Sequence, residues 1–294
     1  MLYDQKSYYF PKISSTIGWL KNIKNNFSTL LRLIKFNTSS QLVRYQVKNI
    51  LVYILIYPLL RVIWGKQKAE NICNSFLKFD PLILSLPPPL KSKIIIFSEP
   101  LIYDEIYLKD IYHCNILKEG MNVVDVGAHI GTYTVIAAEK VGANGNIIAI
   151  EPEIQNYRRL IENIRLNNFK NVITENIALA DHEGVEKLYL HFLPGKDSLV
   201  MKEGSISSRE VRVKTLDTLL REIGFNKIDV IKIDTEGAEM LILKGAEKTL
   251  KENPKAKIIV ASYHYPSEIK EVTDFLNKRG FKTKITKDGI VMTL

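Results

Sequence analysis

The sequence predicts a doubly wound α/β domain whose sheet is mostly parallel, with an antiparallel C-terminal edge, preceded by a basic helical N-terminal region. Three observations carry this. From Lys93 onward, short apolar runs alternate with stretches of helical period, the pattern of consecutive strand–helix units. The first long run, Asn122–Val126, opens into a glycine-bearing turn, Asp125-Val-Gly127-Ala128-His129-Ile-Gly131. Charge is unevenly divided: of 41 Lys and Arg and 32 Asp and Glu, residues 1–80 hold 12 and 3, so the whole net charge of +9 lies there.

In the basic region, Leu20, Ile23, Phe27, Leu30 and Ile34 recur at a 3-4-3-4 spacing, with Lys21, Lys24, Arg32 and Lys35 on other faces. Ser39 or Ser40 is placed to cap a second helix from about Gln41 towards Trp64. Its middle, Ile50–Leu60, is apolar, but Lys48 and Arg61 bracket only twelve positions and Pro58 lies among them. A membrane span needs about 20 apolar residues, so none is expected. Nor is a secretory signal, because the run begins too far in and lacks a small-residue cleavage site. Three readings stand: a stripe packed on the main domain, a helix on an anionic membrane surface with Trp19 and Trp64 at the interface, or a nucleic-acid patch. Alternating bases and long aliphatics favour the first two, which gives a cytoplasmic protein, peripheral at the membrane in the second. Pro87-Pro88-Pro89 then reads as a stiff linker within 81–98, and 99–294 as the main domain.

Along that domain the elements follow in order. Lys93–Phe97 reads as a lead-in strand and Asp104–Tyr112 as a helix or extended lead-in. Asn122–Val126 is a strand, followed by a helix from about Ile130 to Val141. Asn146–Ile150 is the next strand, and Tyr157, Leu160, Ile161 and Ile164 form the stripe of its helix. Val172–Ala178 is a third strand. Val185–Phe192 and Glu210–Val213 read as an inserted antiparallel pair. Leu216, Leu219, Leu220 and Ile223 line a helix closed by Gly224. Asp229–Ile233 is a fourth strand with a helix running to about Lys251, and Lys257–Tyr263 a fifth. Ser267–Arg279 is a helix ended by Gly280. Lys282–Thr286 and Ile290–Leu294 form a hairpin around Asp288-Gly289.

Ligands of such sheets bind at the carboxyl ends of the strands, so the residues there are the candidates. The turn after the first strand is not a dinucleotide fingerprint: an acid, Asp125, would repel a pyrophosphate and suits an ammonium or a sulfonium. Glu151 ends the second strand, where an acid accepts from ribose hydroxyls. Asn176 to Asp181, after the third strand, would lie beside a nucleobase. The fourth strand ends in Asp234-Thr-Glu236-Gly237-Ala-Glu239, partly accounted for by the helix dipole. The fifth ends in Tyr263-His264-Tyr265-Pro266. Cys73 and Cys114 are too few and too far apart for a disulfide framework or a Cys-rich zinc site. No metal is expected, a magnesium held by Asp234, Glu236 and Glu239 being the alternative.

VVDVGAHIGTYT, IEP, NIALAD, VKTLDTLL and above all IDVIKIDTEGAEMLILKGA resemble the FkbM family of S-adenosylmethionine-dependent methyltransferases over roughly residues 95–294. The resemblance implies a class I methyltransferase (Rossmann-like) fold, S-adenosyl-L-methionine as cofactor and O-methylation of a hydroxyl on a small molecule, sugar or lipid-linked glycan. It implies that Asp125, Gly127, Ala128 and Gly131 hold the methionine part, Glu151 the ribose, and Asn176 and Ala178 the adenine. Asp234 and Glu236 would face the methyl-transfer site, with Asp234 the first choice of base and Glu236 and His264 behind it. The chain departs from the family pattern at His129, where Asn is common, and at Ala261-Ser262-Tyr263-His264, where a Glu-Leu-His or Glu-Ile-His tract is common. Two rival readings are an RNA methyltransferase gripping phosphates through the basic region, and a non-catalytic membrane-surface adaptor that keeps the fold.

Overall fold

The computed structural model describes residues 82–86, 89–96, 106–107, 109–191 and 197–294. The helices expected between residues 17 and 64 lie outside them. Among the described residues, no helix is long and apolar enough to cross a membrane. The chain divides into two units, Met1–Lys109 with Phe192–Pro194, and Asp110–His191 with Gly195–Leu294.

In the first unit, β1 (Leu82–Ser85) and β2 (Lys93–Ile96) form an antiparallel hairpin with Ser85 opposite Lys93. The Leu86 N–H donates to the Ser92 carbonyl at 2.9 Å and closes it. Both strands belong to the segment 81–98 that the sequence marks as a linker and lead-in.

The second unit is built on a seven-stranded sheet of β3 (Asn122–Val126), β4 (Asn146–Ile150), β5 (Val172–Glu175), β9 (Val230–Ile233), β10 (Lys257–Ala261), β11 (Thr283–Ile285) and β12 (Ile290–Thr293). Its order is β11-β12-β10-β9-β3-β4-β5. Neighbours from β5 to β10 run parallel, and β12 is antiparallel to both β10 and β11. This is the class I methyltransferase arrangement, with its switch point between β3 and β9. All four residues of β9 and all but the first of β3, β4 and β10 are buried. Burial of nearly every residue marks strands covered on both faces, and here it includes the charged Asp125 of β3 and Lys232 of β9.

Helices supply the cover: α1 (Thr132–Val141), α2 (Ile154–Leu166), α3 (Leu216–Ile223), α4 (Glu239–Lys244), α5 (Glu247–Glu252) and α6 (Glu268–Lys278). In α3 the Thr215 hydroxyl caps the Thr218 N–H, Gly224 ends the helix at φ 75°, and Leu216, Leu219 and Leu220 are buried between. Burying each such leucine stabilises the fold by about 1.5–3 kcal/mol. The helix expected to run to Lys251 is broken into α4 and α5 at Gly245, where a Cβ would fall 2.1 Å from the Ala180 carbonyl oxygen. The break is a close backbone approach that only glycine permits.

The third strand is shorter than its apolar pattern. After Glu175 the chain leaves the main sheet, and β6 (Ala178–Leu179) joins β8 (Ser205–Lys214) and β7 (Gly184–His191) in the order β6-β8-β7. The inserted pair is antiparallel as expected, with longer arms. Asp104–Tyr112 is described only in part; its end, Asp110–Tyr112, is a turn, with Asp110 at φ 51°.

Candidate active site

β3 and β9 lie side by side, and their ends meet at Gly127. With φ at 74°, this residue brings the turn so close to β9 that a Cβ would sit 1.8 Å from the Asp234 carbonyl oxygen. The N–H groups of Gly127 and Ala128 both donate to the Ile150 carbonyl, each at 3.0 Å, and the Asp234 N–H donates to the Val126 carbonyl at 3.1 Å. One turn thereby joins the ends of β3, β4 and β9. Gly131, at φ 88°, serves a second approach: a Cβ there would fall 2.6 Å from Leu160 Cδ1 of α2.

Asp125 does not open onto the cleft. It is fully buried, with Oδ1 3.1 Å from Lys232 Nζ and Oδ2 accepting from the Thr134 hydroxyl at 2.6 Å. Lys232 also donates to the Gly127 carbonyl at 2.8 Å. The positive group that the sequence reading sought for Asp125 is therefore a lysine of the chain itself, and contact with a ligand's ammonium gives way to a buried ion pair that fixes the turn. Sequence reasoning missed Lys232, although a lone lysine inside the apolar strand VIKI was the signal.

At the end of β4, Glu151 is buried. Its Oε2 accepts the His129 N–H at 2.8 Å and its Oε1 the Glu153 N–H at 2.9 Å. Burial pushes its carboxyl up to about 8, against the lowering effect of these two bonds. The Asn176 amide donates to the Glu151 and Pro152 carbonyls at 2.8 and 3.0 Å, which ties the end of β5 to that of β4. Ala178 is placed differently from its expected position beside a nucleobase. Its side chain packs with Leu188, Val211 and Val213 in the core of the three-stranded sheet, because the chain has by then left the main sheet.

At the ends of β9 and β10, a second group gathers around His264. Its Nε2 lies 3.6 Å from Asp234 Oδ1 and 3.7 Å from Glu236 Oε2; its Nδ1 lies 3.2 Å from Glu268 Oε2 and 3.5 Å from Glu239 Oε2. The His264 N–H donates to the same Glu268 oxygen at 2.8 Å. Glu236 sits at φ 55° beside Gly237 at φ 101°, and its carbonyl is held by the Ser198 hydroxyl at 2.6 Å. The Tyr112 hydroxyl donates to Asp234 Oδ2. Tyr112 and Glu268, both absent from the sequence reading, reach the site only through the fold.

Electrostatics follow from this crowding. Burial alone would lower the imidazole of His264, but Asp234, Glu268, Glu239 and Glu236 together raise it to about 10. Burial acts to raise Asp234, yet His264, Lys232 and Tyr112 outweigh it and hold the carboxyl well below its usual range. Burial and the neighbouring Glu268 push Glu239 up to about 8. Near this cluster the surface is partly apolar: Tyr263 and Val200 are 46% and 45% exposed, the first stacked at a tilt on His264 and the second beside Gly237.

The candidate residues thus form two groups on either side of the Gly127 turn. Glu151 and Asn176 lie on the β4–β5 side; Asp234, Glu236 and His264 lie on the β9–β10 side.

The Methyltransferase FkbM domain model matches residues 125–283. The chain is 29% identical over 219 residues to Methyltransferase sdnD of Sordaria araneosa, a match covering 64% of this chain and 83% of that protein. It is 29% identical over 170 residues to the Hexuronic acid methyltransferase AglP of Haloferax volcanii, covering 55% of this chain and 64% of AglP, less than two thirds of its length. Among solved structures, a SAM-dependent methyltransferase from Aquifex aeolicus aligns with a TM-score of 0.38 at 19% identity, covering 64% of this chain and 86% of that one.

Proposed function

The chain belongs to the FkbM methyltransferase family and is an S-adenosylmethionine-dependent methyltransferase; on that premise we propose that it methylates a hydroxyl oxygen of a sugar, a glycan, a lipid-linked glycan or another small hydroxylated molecule. The observation that carries this reading is the convergence of Asp234, Glu236 and His264 beside the Gly127 turn. Carboxylates accept hydrogen bonds from hydroxyls, and the exposed Tyr263 offers an apolar face next to them. The name of AglP, a hexuronic acid methyltransferase, supports a sugar-type acceptor.

The β4–β5 side fits the cofactor. Each Glu151 oxygen accepts one backbone N–H and keeps a lone pair for a ribose hydroxyl. Gly127, Ala128 and Gly131 present a turn with little side-chain bulk to the methionine part. Asp125 contributes by holding Lys232 and the turn in place. Asn176 closes the adenine end with its amide committed to the backbone, and Ala178 borders it only from the backbone. Bound there, S-adenosylmethionine supplies a methyl group activated by a sulfonium.

On the other side the chain's own groups orient the acceptor hydroxyl and take its proton. Asp234 is the first choice, with Glu236 and His264 behind it. A carboxylate held that low is a weak base. It is sufficient because the hydroxyl becomes strongly acidic as its oxygen gains a third bond, to the methyl carbon, while the bond from that carbon to the sulfonium sulfur breaks, and proton transfer then runs downhill. Much of the remaining catalysis is positioning.

The proposal includes reversible attachment of residues 17–64 to an anionic membrane surface, supported by 11 bases and no acid in residues 5–69. The acceptor class is tested by mass spectrometry of glycans and lipids from cells with and without the gene. Loss of a single-methyl mass increment in the deletion strain is expected, and unchanged glycan and lipid masses would overturn the class.

A further inference from the structure

We infer that Asp234, Glu236 and His264 form a binding site for a divalent transition cation; its use in holding acceptor oxygens rests on the reading of this cluster as the acceptor side. One donor atom from each residue lies within 4.8 Å of the others. The two separations from His264 Nε2, 3.6 Å to Asp234 Oδ1 and 3.7 Å to Glu236 Oε2, are too long for hydrogen bonds. They are within a few tenths of an ångström of the spacing between neighbouring ligands around an ion bound at about 2.0–2.2 Å, which is roughly 3–3.5 Å.

Unmet hydrogen-bonding capacity points to the same place. His264 Nε2 and Asp234 Oδ1 are both buried and make no hydrogen bond, and the His264 side chain is only 1% exposed. The other ring nitrogen is already anchored: Nδ1 lies 3.2 Å from Glu268 Oε2, which also accepts the His264 N–H. Nδ1 is thus taken by a carboxylate, and Nε2 is the nitrogen on the side of Asp234 and Glu236, where an incoming cation would displace its proton and take its lone pair. This is the usual support of a metal-bound histidine, in which an outer carboxylate fixes tautomer and ring orientation. Glu236 is held in the left-handed region by Gly237 and by the Ser198 bond to its carbonyl, so its direction is imposed by the fold.

The magnesium alternative of the sequence reading needs one change. Glu239 is not the third donor, because its Oε1 accepts both the N–H and the hydroxyl of Thr235, at 2.7 and 3.1 Å, and its Oε2 faces Nδ1. His264 takes its place. Two carboxylate oxygens and one imidazole suit Mn²⁺, Fe²⁺, Co²⁺ or Zn²⁺ better than Mg²⁺ or Ca²⁺, which prefer oxygen alone. The Asp234 and Glu236 side chains are 19% and 12% exposed, so the site has an open side. Positions there would go to water or to acceptor hydroxyls.

The test is a Mn²⁺ titration of the full chain, stripped of metals with a chelator, followed by electron paramagnetic resonance. One saturable site is expected. Glu236→Gln and His264→Gln should each weaken Mn²⁺ by roughly 10- to 100-fold or more, while affinity for S-adenosylmethionine, measured by calorimetry on the same samples, stays near that of the parent. Glu236→Gln keeps the test valid should the buried His264 variant fail to fold. Absence of saturable Mn²⁺ binding by the parent, or Mn²⁺ binding by Glu236→Gln equal to the parent's, overturns the site. Saturable Mn²⁺ binding by a parent that does not bind S-adenosylmethionine upholds the ion site and overturns the reading of the cleft around it.

Discussion

Lys232 Nζ lies 3.1 Å from Asp125 Oδ1 in the middle of the sheet, with both side chains almost wholly removed from water. The pair joins β9 to β3 one residue before the turn that divides the two halves of the site. Removing one partner of such a pair leaves a buried charge without compensation, at about 3–5 kcal/mol. Lys232→Met should lose stability of that order in chemical denaturation. Asp125→Asn combined with Lys232→Met should recover part of it. Additive losses would mean that the two groups act independently.

Glu151 governs both the cofactor and a pH dependence. Glu151→Ala should weaken S-adenosylmethionine binding about 10- to 100-fold, the worth of roughly 1.5–3 kcal/mol for a pair of hydrogen bonds to the ribose hydroxyls. Calorimetry reads this directly, and equal affinities would remove Glu151 from the cofactor site.

The same carboxyl is pushed by burial from an ordinary 4.5 up to about 8. Between these values the folded chain keeps a proton that the unfolded chain has lost. This contribution to stability is complete below pH 4.5 and falls as the pH rises towards 8. Denaturant midpoints measured across that window should decline more steeply for the parent than for Glu151→Gln. Parallel curves would argue against a protonated Glu151.

Asp234→Asn keeps the shape of the side chain and removes its basicity. With an acceptor in hand, turnover should fall about 10²- to 10⁴-fold while cofactor affinity holds. Near-normal turnover would shift the proton acceptor to Glu236 or His264.

Gly127→Ala forces a Cβ to within 1.8 Å of the Asp234 carbonyl at a backbone angle that L-residues avoid. The strain alone is about 1–3 kcal/mol, and the clash adds to it. Lower stability together with loss of cofactor binding is expected. An unchanged melting temperature would contradict the close approach of β3 and β9.

For the basic region, co-sedimentation with liposomes is decisive. The full chain should pellet with anionic vesicles at low salt and partly release at high salt, as the Debye length shrinks from about 10 Å at 0.1 M to about 3 Å at 1 M. A fragment starting near residue 81 should stay in solution. Pelleting insensitive to lipid charge and salt would indicate insertion, and no pelleting would leave the apolar stripe to pack on protein.

Local chemistry made much of this protein legible from its sequence. Short apolar runs, the Leu216–Ile223 stripe, Gly224 behind it and the Asp288-Gly289 turn are each decided by neighbours in the chain, and the strands and helices they imply are present. The mostly parallel sheet with an antiparallel C-terminal edge followed from the alternation of these elements, whereas the strand order came from the structure. What failed did so where a distant backbone intervenes: Ala180 breaks the helix at Gly245, and the departure of β6 to a second sheet moves Ala178 into a core. The site divides in the same way. Asp234, Glu236 and Glu151 stand at strand ends, and strand ends can be read from a pattern. The partners of Asp125 and Asp234 could not be read, since Lys232 lies 107 residues from the first and Tyr112 lies 122 from the second. The energy of a buried charge is set by what surrounds it in space, so only the tertiary structure could decide that Asp125 is satisfied within the fold while His264 turns an unmet nitrogen towards two carboxylates.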